Sequence, residues 1–196
     1  MSIPYRALPI ALAPAGTSLA WPGSEQMAHA TAESPAVQAM TDLARIPAAT
    51  VDPEATLPRA EEHMRYSRVR LLFVLDAQRG LLGLITLNDL KGERPVRYQR
   101  ERGVSFGEIR VRDIMTPADR LETIPYTQVV DARIGDIIQT LKRSGRQHAL
   151  VLERGVAGYT IRGIFSATRM SRQLGMPIET AGIAFTFAEL EAALSH

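Results

Sequence analysis

Two short polar motifs, each placed after an apolar run and one glycine, contain the residues best suited to chemistry. In the first, Thr86 lies three positions after Gly83 and three positions before Asp89. A threonine hydroxyl can donate a hydrogen bond, whereas an ionised carboxylate only accepts them. The same residue types suit a helix start, with threonine as N-cap and aspartate in the first turn. The spacing therefore predicts either a ligand-binding site or a capped helix.

The second motif departs from the first at its last position. Gly163 and Ser166 occupy the glycine and hydroxyl positions, but Arg169 replaces the carboxylate. Arginine carries donors only, so it cannot accept from hydroxyl groups, although it can bind a phosphate. His148, at the start of the preceding strand, is a further candidate, and a half-buried structural histidine is its simpler interpretation. We therefore expect two unequal sites.

Composition excludes several classes of function. The 196 residues are 45% hydrophobic and 22% charged, which suits a globular protein of one or two domains. The absence of cysteine excludes disulfides, thiolate zinc sites and cysteine nucleophiles, and it fits a cytoplasmic location. A net charge of +2 gives little reason to expect nucleic acid as partner. No apolar run approaches the roughly 20 residues of a membrane span.

The sequence lacks the common signatures of catalysis and metal binding. It has no Gly-x-Ser-x-Gly elbow, P-loop, Gly-x-Gly-x-x-Gly loop or His-x-x-x-His pair. No pair of acidic residues stands in a context that would separate their pKa values. We therefore expect no catalytic residue, no metal site and no cofactor.

Helices and strands in a repeated order must position the two motifs. Apolar periodicity predicts a helix over 56–67, strands over 69–75 and 81–85, and a short strand at 50–51. The pair Ser34-Pro35 predicts a further short helix leading to Leu43.

The second half of the chain repeats this order. We expect a helix from an N-cap at Asp131 to about Arg143, then a strand over 148–152, a long turn over 153–160 and a strand over 161–165. Matched positions lie 75 residues apart at Met40 and Met115 and 80 residues apart at the two motif glycines. Two copies of one structural unit are therefore predicted.

The repeat divides the chain into five predicted segments. These are an irregular N-terminal arm (1–33), a first repeat (34–92), a basic linker (93–110), a second repeat (111–175) and a C-terminal tail with a short helix (176–196). The arginine-rich linker is expected to form a solvated face, with binding of an acidic or phosphate-bearing partner as the alternative.

The repeated unit resembles a CBS motif, and the two copies together resemble a CBS pair, or Bateman module. The resemblance extends over residues 34–175. It rests on three stretches: Asp52-Pro53-Glu54-Ala55-Thr56-Leu57, Gly83-Leu84-Ile85-Thr86-Leu87-Asn88-Asp89 and Val111-Arg112-Asp113-Ile114-Met115-Thr116-Pro117.

The resemblance implies an α+β fold of two β-α-β-β-α units packed sheet to sheet with pseudo-twofold symmetry. It also implies clefts that, in many members of the family, bind AMP, ADP, ATP or S-adenosylmethionine, assembly as a homodimer, and a role in regulation such as energy sensing. We therefore expect a free-standing cytoplasmic regulatory protein that binds an adenine nucleotide, is not an enzyme, and acts on an unidentified partner protein.

Within the first cleft implied by the resemblance, Asp89 would accept from the ribose hydroxyls and Thr86 would donate to a phosphate. The base would lie in an apolar slot formed by Ala49, Thr50, Leu71 and Ile85. The second cleft, with His148, Ser166 and Arg169, would lack the ribose acceptor. The alternative function is a ligand-free interaction module that binds a partner through apolar helix faces and the basic linker.

Overall fold

The computed structural model describes residues 30–156 and 158–180. Most of the expected N-terminal arm, with Trp21, and the expected tail helix lie outside the described residues. In the first half, the helices and strands are β1 (Thr41–Asp42), β2 (Thr50–Val51), α1 (Leu57–Tyr66), β3 (Leu71–Leu75), β4 (Leu81–Thr86), α2 (Leu87–Lys91) and α3 (Glu93–Arg102). In the second half they are α4 (Val111–Ile114), β5 (Thr116–Pro117), β6 (Thr123–Pro125), α5 (Tyr126–Asp131), α6 (Ile134–Ser144), β7 (His148–Gly155), β8 (Gly158–Ser166) and α7 (Ala167–Leu174).

The strands form two four-stranded sheets, in the orders β2-β3-β4-β5 and β1-β8-β7-β6. In each sheet the central pair, β3–β4 or β7–β8, is antiparallel, and the strand pairs β2–β3 and β6–β7 are parallel. Each sheet also receives one antiparallel edge strand from the other half of the chain, β5 beside β4 and β1 beside β8. This arrangement confirms the predicted α+β fold of two packed, pseudo-symmetric units.

Side chains along β3 alternate between two cores, as the pleat of a strand requires. Leu71 and Phe73 pack in the core between the two sheets, where Leu150 of β7 joins them. Leu72 and Val74 point the other way and pack against the helices of the first unit. The continuous apolar run of this strand is thus explained by burial on both faces, as predicted.

Helix α1 agrees with the prediction for residues 56–67 in its position and in its buried face. Thr56 is its N-cap, and the Thr56 hydroxyl accepts from the Arg59 N–H at 3.4 Å. Leu57, Ala60 and Met64 are buried, as the apolar spacing predicted.

Two predicted helix starts are wrong. The stretch after Ser34-Pro35 forms only a 3-10 turn, Ala36–Gln38, followed by β1, because Thr41 pairs with Ile164 of the distant strand β8. Asp131 is the last residue of α5 and does not cap α6. Helix α6 starts after Arg133, whose backbone N–H donates to the Asp136 carboxylate at 2.8 Å. A carboxylate in the first turn supplies the cap there.

Two connecting segments are more ordered than the sequence suggested. The long turn predicted over 153–160 is wrong, since β7 and β8 remain paired as far as Gly155 and Gly158, and Arg154 stacks over the ring of Tyr159 at 5.9 Å. The predicted basic linker contains the ten-residue helix α3. That helix ends at Gly103, which has a φ of +67° that favours glycine.

Candidate functional site

Thr86 and Asp89 form a closed hydrogen-bonded unit at the junction of β4 and α2. The Thr86 backbone N–H and hydroxyl both donate to Oδ2 of Asp89, at 2.9 and 2.7 Å. The Asp89 N–H donates in return to the Thr86 hydroxyl oxygen at 3.2 Å. These bonds make a capping box. The capped-helix interpretation is therefore confirmed, and any ligand at these residues has to be compatible with it.

The second carboxylate oxygen of Asp89 faces a cation that sequence reasoning missed. Oδ1 lies 3.1 Å from a guanidinium nitrogen of Arg94, and the Asp89 side chain is only 16% exposed. The same nitrogen donates to the Ile114 carbonyl at 3.1 Å and to the Thr116 hydroxyl at 3.3 Å. Arg94 therefore joins the carboxylate to the edge strand β5. The only sequence signal for it was its place near the start of the basic linker.

Asp89 has little unused hydrogen-bonding capacity. A carboxylate offers roughly four lone-pair positions, and Thr86 occupies two while Arg94 faces a third. One further donor can bind without displacing Arg94, whereas two adjacent hydroxyl groups need two acceptor positions and would displace it. The carboxylate thus has one acceptor position left while Arg94 is bound.

The four residues predicted to line an apolar slot lie on two different faces of their sheet. Leu71 pairs directly with Thr86, and Thr50 pairs with Phe73, so these residues share the face turned toward the second sheet. Ala49 and Ile85 pack in the helix-side core, where Ile85 is fully buried. Their side chains are therefore separated by the sheet from the Thr50–Leu71 face.

The second motif is arranged differently around the same fold position. Ser166 precedes α7 but makes no side-chain cap, and Arg169 donates to the Thr41 hydroxyl at 2.8 Å. His148 pairs with Ser166 across β7 and β8. Burial, with a contribution from the charge of Arg70, lowers the pKa of His148 to about 4. The imidazole is therefore neutral near pH 7 and adds no positive charge to this site.

In each half an arginine donates to an equivalent threonine, but the two arginines come from positions that do not match in the repeat. Thr41 and Thr116 lie 75 positions apart, and each is part of the edge strand contributed by the other half. Arg94 reaches Thr116 from α3, whereas Arg169 reaches Thr41 from the position that matches Asp89. The first site therefore combines a carboxylate with a cation, and the second has the cation alone.

The motif glycines are explained by the close approach of these edge strands. A Cβ atom on Gly83 would overlap the carbonyl oxygen of Thr116 and lie 3.1 Å from Cα of Pro117. A Cβ atom on Gly163 would overlap the side chain of Met40. Glycine is thus required at Gly83, where the backbone of the edge strand β5 approaches closely, whereas at Gly163 the neighbour is a flexible side chain.

Two cavities lie against the edge strands. One, of about 340 Å³, is bounded by α3 and residues 113–120, and the other, of about 680 Å³, is bounded by β1 and the start of α5. Their linings contain Arg94, Thr116 and Met40 but neither Thr86 nor Asp89. None of the predicted site residues lines either cavity.

The described residues contain no cluster of three or more histidine or acidic side chains arranged to hold a metal ion. In the same part of the chain, every helix is too short or too polar to cross a lipid bilayer.

Comparison with known proteins gives a consistent result. The CBS domain family model matches residues 39–94. The chain is similar in fold to an uncharacterized conserved protein from Pyrococcus horikoshii, with 21% identity, a TM-score of 0.53, and coverage of 76% of this chain and 98% of that chain. It is also similar to CBSX2, a CBS-pair protein from Arabidopsis thaliana, in complex with AMP, with 21% identity, a TM-score of 0.51, and coverage of 71% and 94%.

A CBS-domain containing protein from Agrobacterium tumefaciens has 18% identity, a TM-score of 0.52, and coverage of 80% of this chain and 98% of that chain. No curated protein matches the chain. Residues 39–94 match the CBS domain family, and the two sheets that exchange edge strands give the chain the fold of a tandem CBS pair.

Proposed function

We propose that the chain is a regulatory module that binds an adenine nucleotide at the Thr86–Asp89 capping box. The observation that carries the proposal is the partly buried Asp89 carboxylate, whose second oxygen pairs with the half-exposed Arg94 at 3.1 Å. The AMP complex of CBSX2, a protein of similar fold, supports the choice of ligand. S-adenosylmethionine remains an alternative with the same ribose. Because CBS-domain proteins are generally regulatory, we assign no catalytic residue.

In this proposal the ribose hydroxyls bind Asp89 in place of Arg94. The freed guanidinium then pairs with a phosphate. The Thr86 hydroxyl keeps its single proton on Asp89 and holds the carboxylate in place through the capping box. The base contacts the face that carries Thr50 and Leu71, and Ala49 and Ile85 contribute through their backbone only.

Signalling follows from the second set of contacts made by Arg94. The Ile114 carbonyl and the Thr116 hydroxyl lie on the segment that enters the second unit, and both bind the guanidinium in the free protein. A nucleotide that moves Arg94 therefore alters the attachment of β5 to α2 and α3. Ligand binding favours one packing of the two units by its differential affinity for that packing.

The second site is proposed to bind no adenosine. Ser166 and Arg169 can donate to a phosphate, but neither they nor the neutral His148 can replace a carboxylate as acceptor for two hydroxyl groups. The predicted stoichiometry is thus one adenosine per chain.

Isothermal titration calorimetry with AMP, ADP and ATP tests the first site. Asp89→Asn retains an oxygen for the capping box and removes the charge, so we expect nucleotide affinity to fall about 10- to 100-fold, or roughly 1.5–3 kcal/mol. Asp136→Asn is the matched control, because its carboxylate also caps a helix start, at 2.8 Å, but lies in α6 of the other unit. Equal affinities for wild type and Asp89→Asn would remove Asp89 from the site.

A ligand-free interaction module is the alternative function. It is favoured because Thr86 and Asp89 already hydrogen-bond to each other in a capping box, which needs no ligand. A thermal-shift assay separates the two functions, because a ligand that binds only the native state must raise the melting temperature. Absence of a shift with millimolar AMP, ADP, ATP and S-adenosylmethionine would favour the interaction module.

We also propose that the module is a cytoplasmic homodimer that regulates a separate partner protein. Adenine nucleotides are cytoplasmic metabolites, and the chain has no cysteine for disulfides. Sedimentation of the purified protein at several concentrations tests the dimer, and a monomer throughout would contradict it.

A further inference from the structure

The groove between α3 and the entry to the second unit is lined by arginine. Its volume is about 340 Å³, and we name it the α3 groove. The full lining is Arg94, Arg97, Tyr98, Glu101, Asp113, Ile114, Met115, Thr116, Pro117 and Arg120. Three cationic side chains thus face a space large enough for several phosphate groups.

The two carboxylates of the α3 groove neutralise these cations only in part. Glu101 lies 4.0 Å from Arg97 in a pair whose side chains are 72% and 65% exposed, so that interaction is weak. Asp113 accepts from the backbone N–H of Arg110 at 2.9 Å and lies 3.9 Å from the guanidinium of Arg112, a cation that does not line the groove. Positive charge therefore remains available in the groove.

Arg120 is the clearest available cation. Within residues 30–156 and 158–180, no carboxylate lies within ion-pair distance of its guanidinium, and the side chain is exposed. Arg94, in contrast, is held at the groove wall in the ligand-free protein, where Asp89 pairs with it and Ile114 and Thr116 accept its hydrogen bonds. Fixed and free arginines together suit an anion that has more than one charged group.

The pseudo-symmetric cavity in the other unit provides an internal comparison. Arg45 and Met40 line it at the positions that match Arg120 and Met115, 75 residues earlier. Its remaining lining is Val37, Gln38, Asp42, Ile46 and Tyr126, which adds no further cation. Each cavity therefore has one arginine at the matching position, Arg120 or Arg45. Helix α3 adds Arg94 and Arg97 to the α3 groove only.

We propose that the α3 groove is an oligophosphate site, in which Arg97 and Arg120 grip successive phosphate groups beside the anchored Arg94. Guanidinium groups bind phosphate oxygens through paired, charge-assisted hydrogen bonds. The inference goes beyond the adenosine site, since neither Thr86 nor Asp89 lines the groove. Two sources share this chemistry: the phosphate chain of a nucleotide whose ribose binds Asp89, and a free pyrophosphate or triphosphate.

Titration with inorganic triphosphate tests the groove without a nucleoside. We expect binding by the wild type that weakens about 10- to 100-fold in the double variant Arg97→Gln/Arg120→Gln. Arg45→Gln is the matched control, because it removes the equivalent arginine of the other cavity and should leave affinity within about twofold. Circular dichroism verifies that all variants are folded. Absence of triphosphate binding by the wild type, or equal affinity in the double variant, would overturn the proposal.

Titrations with AMP and ATP then identify the source of the phosphates. If a nucleotide chain occupies the groove, the double variant loses ATP affinity about tenfold or more and keeps its AMP affinity. If a free oligophosphate occupies it, both nucleotide affinities stay unchanged while triphosphate affinity falls. A protein that binds triphosphate but no nucleotide retains the groove and contradicts the adenosine site, so the two proposals fail separately.

Discussion

The structure leaves no room for a methyl group on Gly83. The loss of folding stability in Gly83→Ala therefore tests how closely β5 approaches β4 beside the site. The atoms in the way of the methyl group are the Thr116 carbonyl oxygen and Cα of Pro117, both backbone atoms of β5. Gly83 is paired with Pro117 and Leu84 with Thr116, so β5 must shift or detach. Overpacking of a core costs typically 1–3 kcal/mol, and each lost hydrogen bond costs about 1 kcal/mol. We expect Gly83→Ala to lower the free energy of unfolding by about 2–3 kcal/mol.

Gly163→Ala is the matched variant at the pseudo-symmetric position. The obstructing atoms there belong to the Met40 side chain, which is flexible and can rotate away. An off-rotamer side chain costs roughly 0.5–1.5 kcal/mol, and loss of glycine entropy from the unfolded chain returns about 0.4–1 kcal/mol. The expected net destabilisation is therefore below about 1 kcal/mol.

Urea unfolding followed by circular dichroism distinguishes the two variants. With an m-value of about 2 kcal/mol/M, the difference of about 2 kcal/mol separates the two midpoints by about 1 M. Equal midpoints with unchanged m-values would refute the reasoning, because the backbone obstruction at Gly83 would then cost no more than the side-chain obstruction at Gly163. A near-neutral Gly83→Ala would also show that β5 moves freely and that its contacts with Arg94 do not fix the site.

Three further predictions concern other contacts of the fold. Asp42→Asn should destabilise the protein by about 1–3 kcal/mol, because Asp42 accepts two hydrogen bonds, of 2.9 and 3.2 Å, from the partly buried Arg162. An unchanged midpoint in urea unfolding would contradict this. The folded-state pKa of His148, about 4, lies below the unfolded value of 6.5. The unfolded chain therefore binds more protons between these values, and stability should fall as pH drops from about 6.5 to 4, by at most about 3 kcal/mol. In His148→Gln, the melting temperature should depend less on pH over this range. If it depends on pH as in the wild type, another group causes the effect. Leu72→Ala should cost about 2–5 kcal/mol, since Leu72 is fully buried, and a midpoint near that of wild type would be inconsistent with that burial.

The sequence predictions that agree best with the structure concern segments whose conformation is set by residues adjacent in sequence. Helix α1 has the predicted cap at Thr56 and the predicted buried face because capping and a 3.6-residue period are local properties. The capping box of Thr86 and Asp89 was visible for the same reason. The error at Asp131 was also local, since Asp136 supplies the first-turn carboxylate of α6 in its place.

The prediction of a helix before Leu43 failed for a different reason. Residues around Thr41 have no strong local preference, and pairing with β8 decides their conformation. Hydrogen bonding to a strand far along the chain outweighs a weak helix propensity, which is worth only a few tenths of a kcal/mol per residue. Helix α3 was missed because its arginines suggested a solvated surface, although Pro95 at its start is buried.

The sequence by itself determined that two similar units exist, that each places a glycine and a hydroxyl before a helix, and that only the first supplies a carboxylate. The tertiary structure alone decided what surrounds that carboxylate. The bonds from Arg94 to Thr116 and from Arg169 to Thr41 join residues 22 and 128 positions apart. Contacts at such separations arise from the exchange of edge strands between the two sheets. That exchange leaves no local pattern in the chain, because it depends on which surfaces meet after the units have folded.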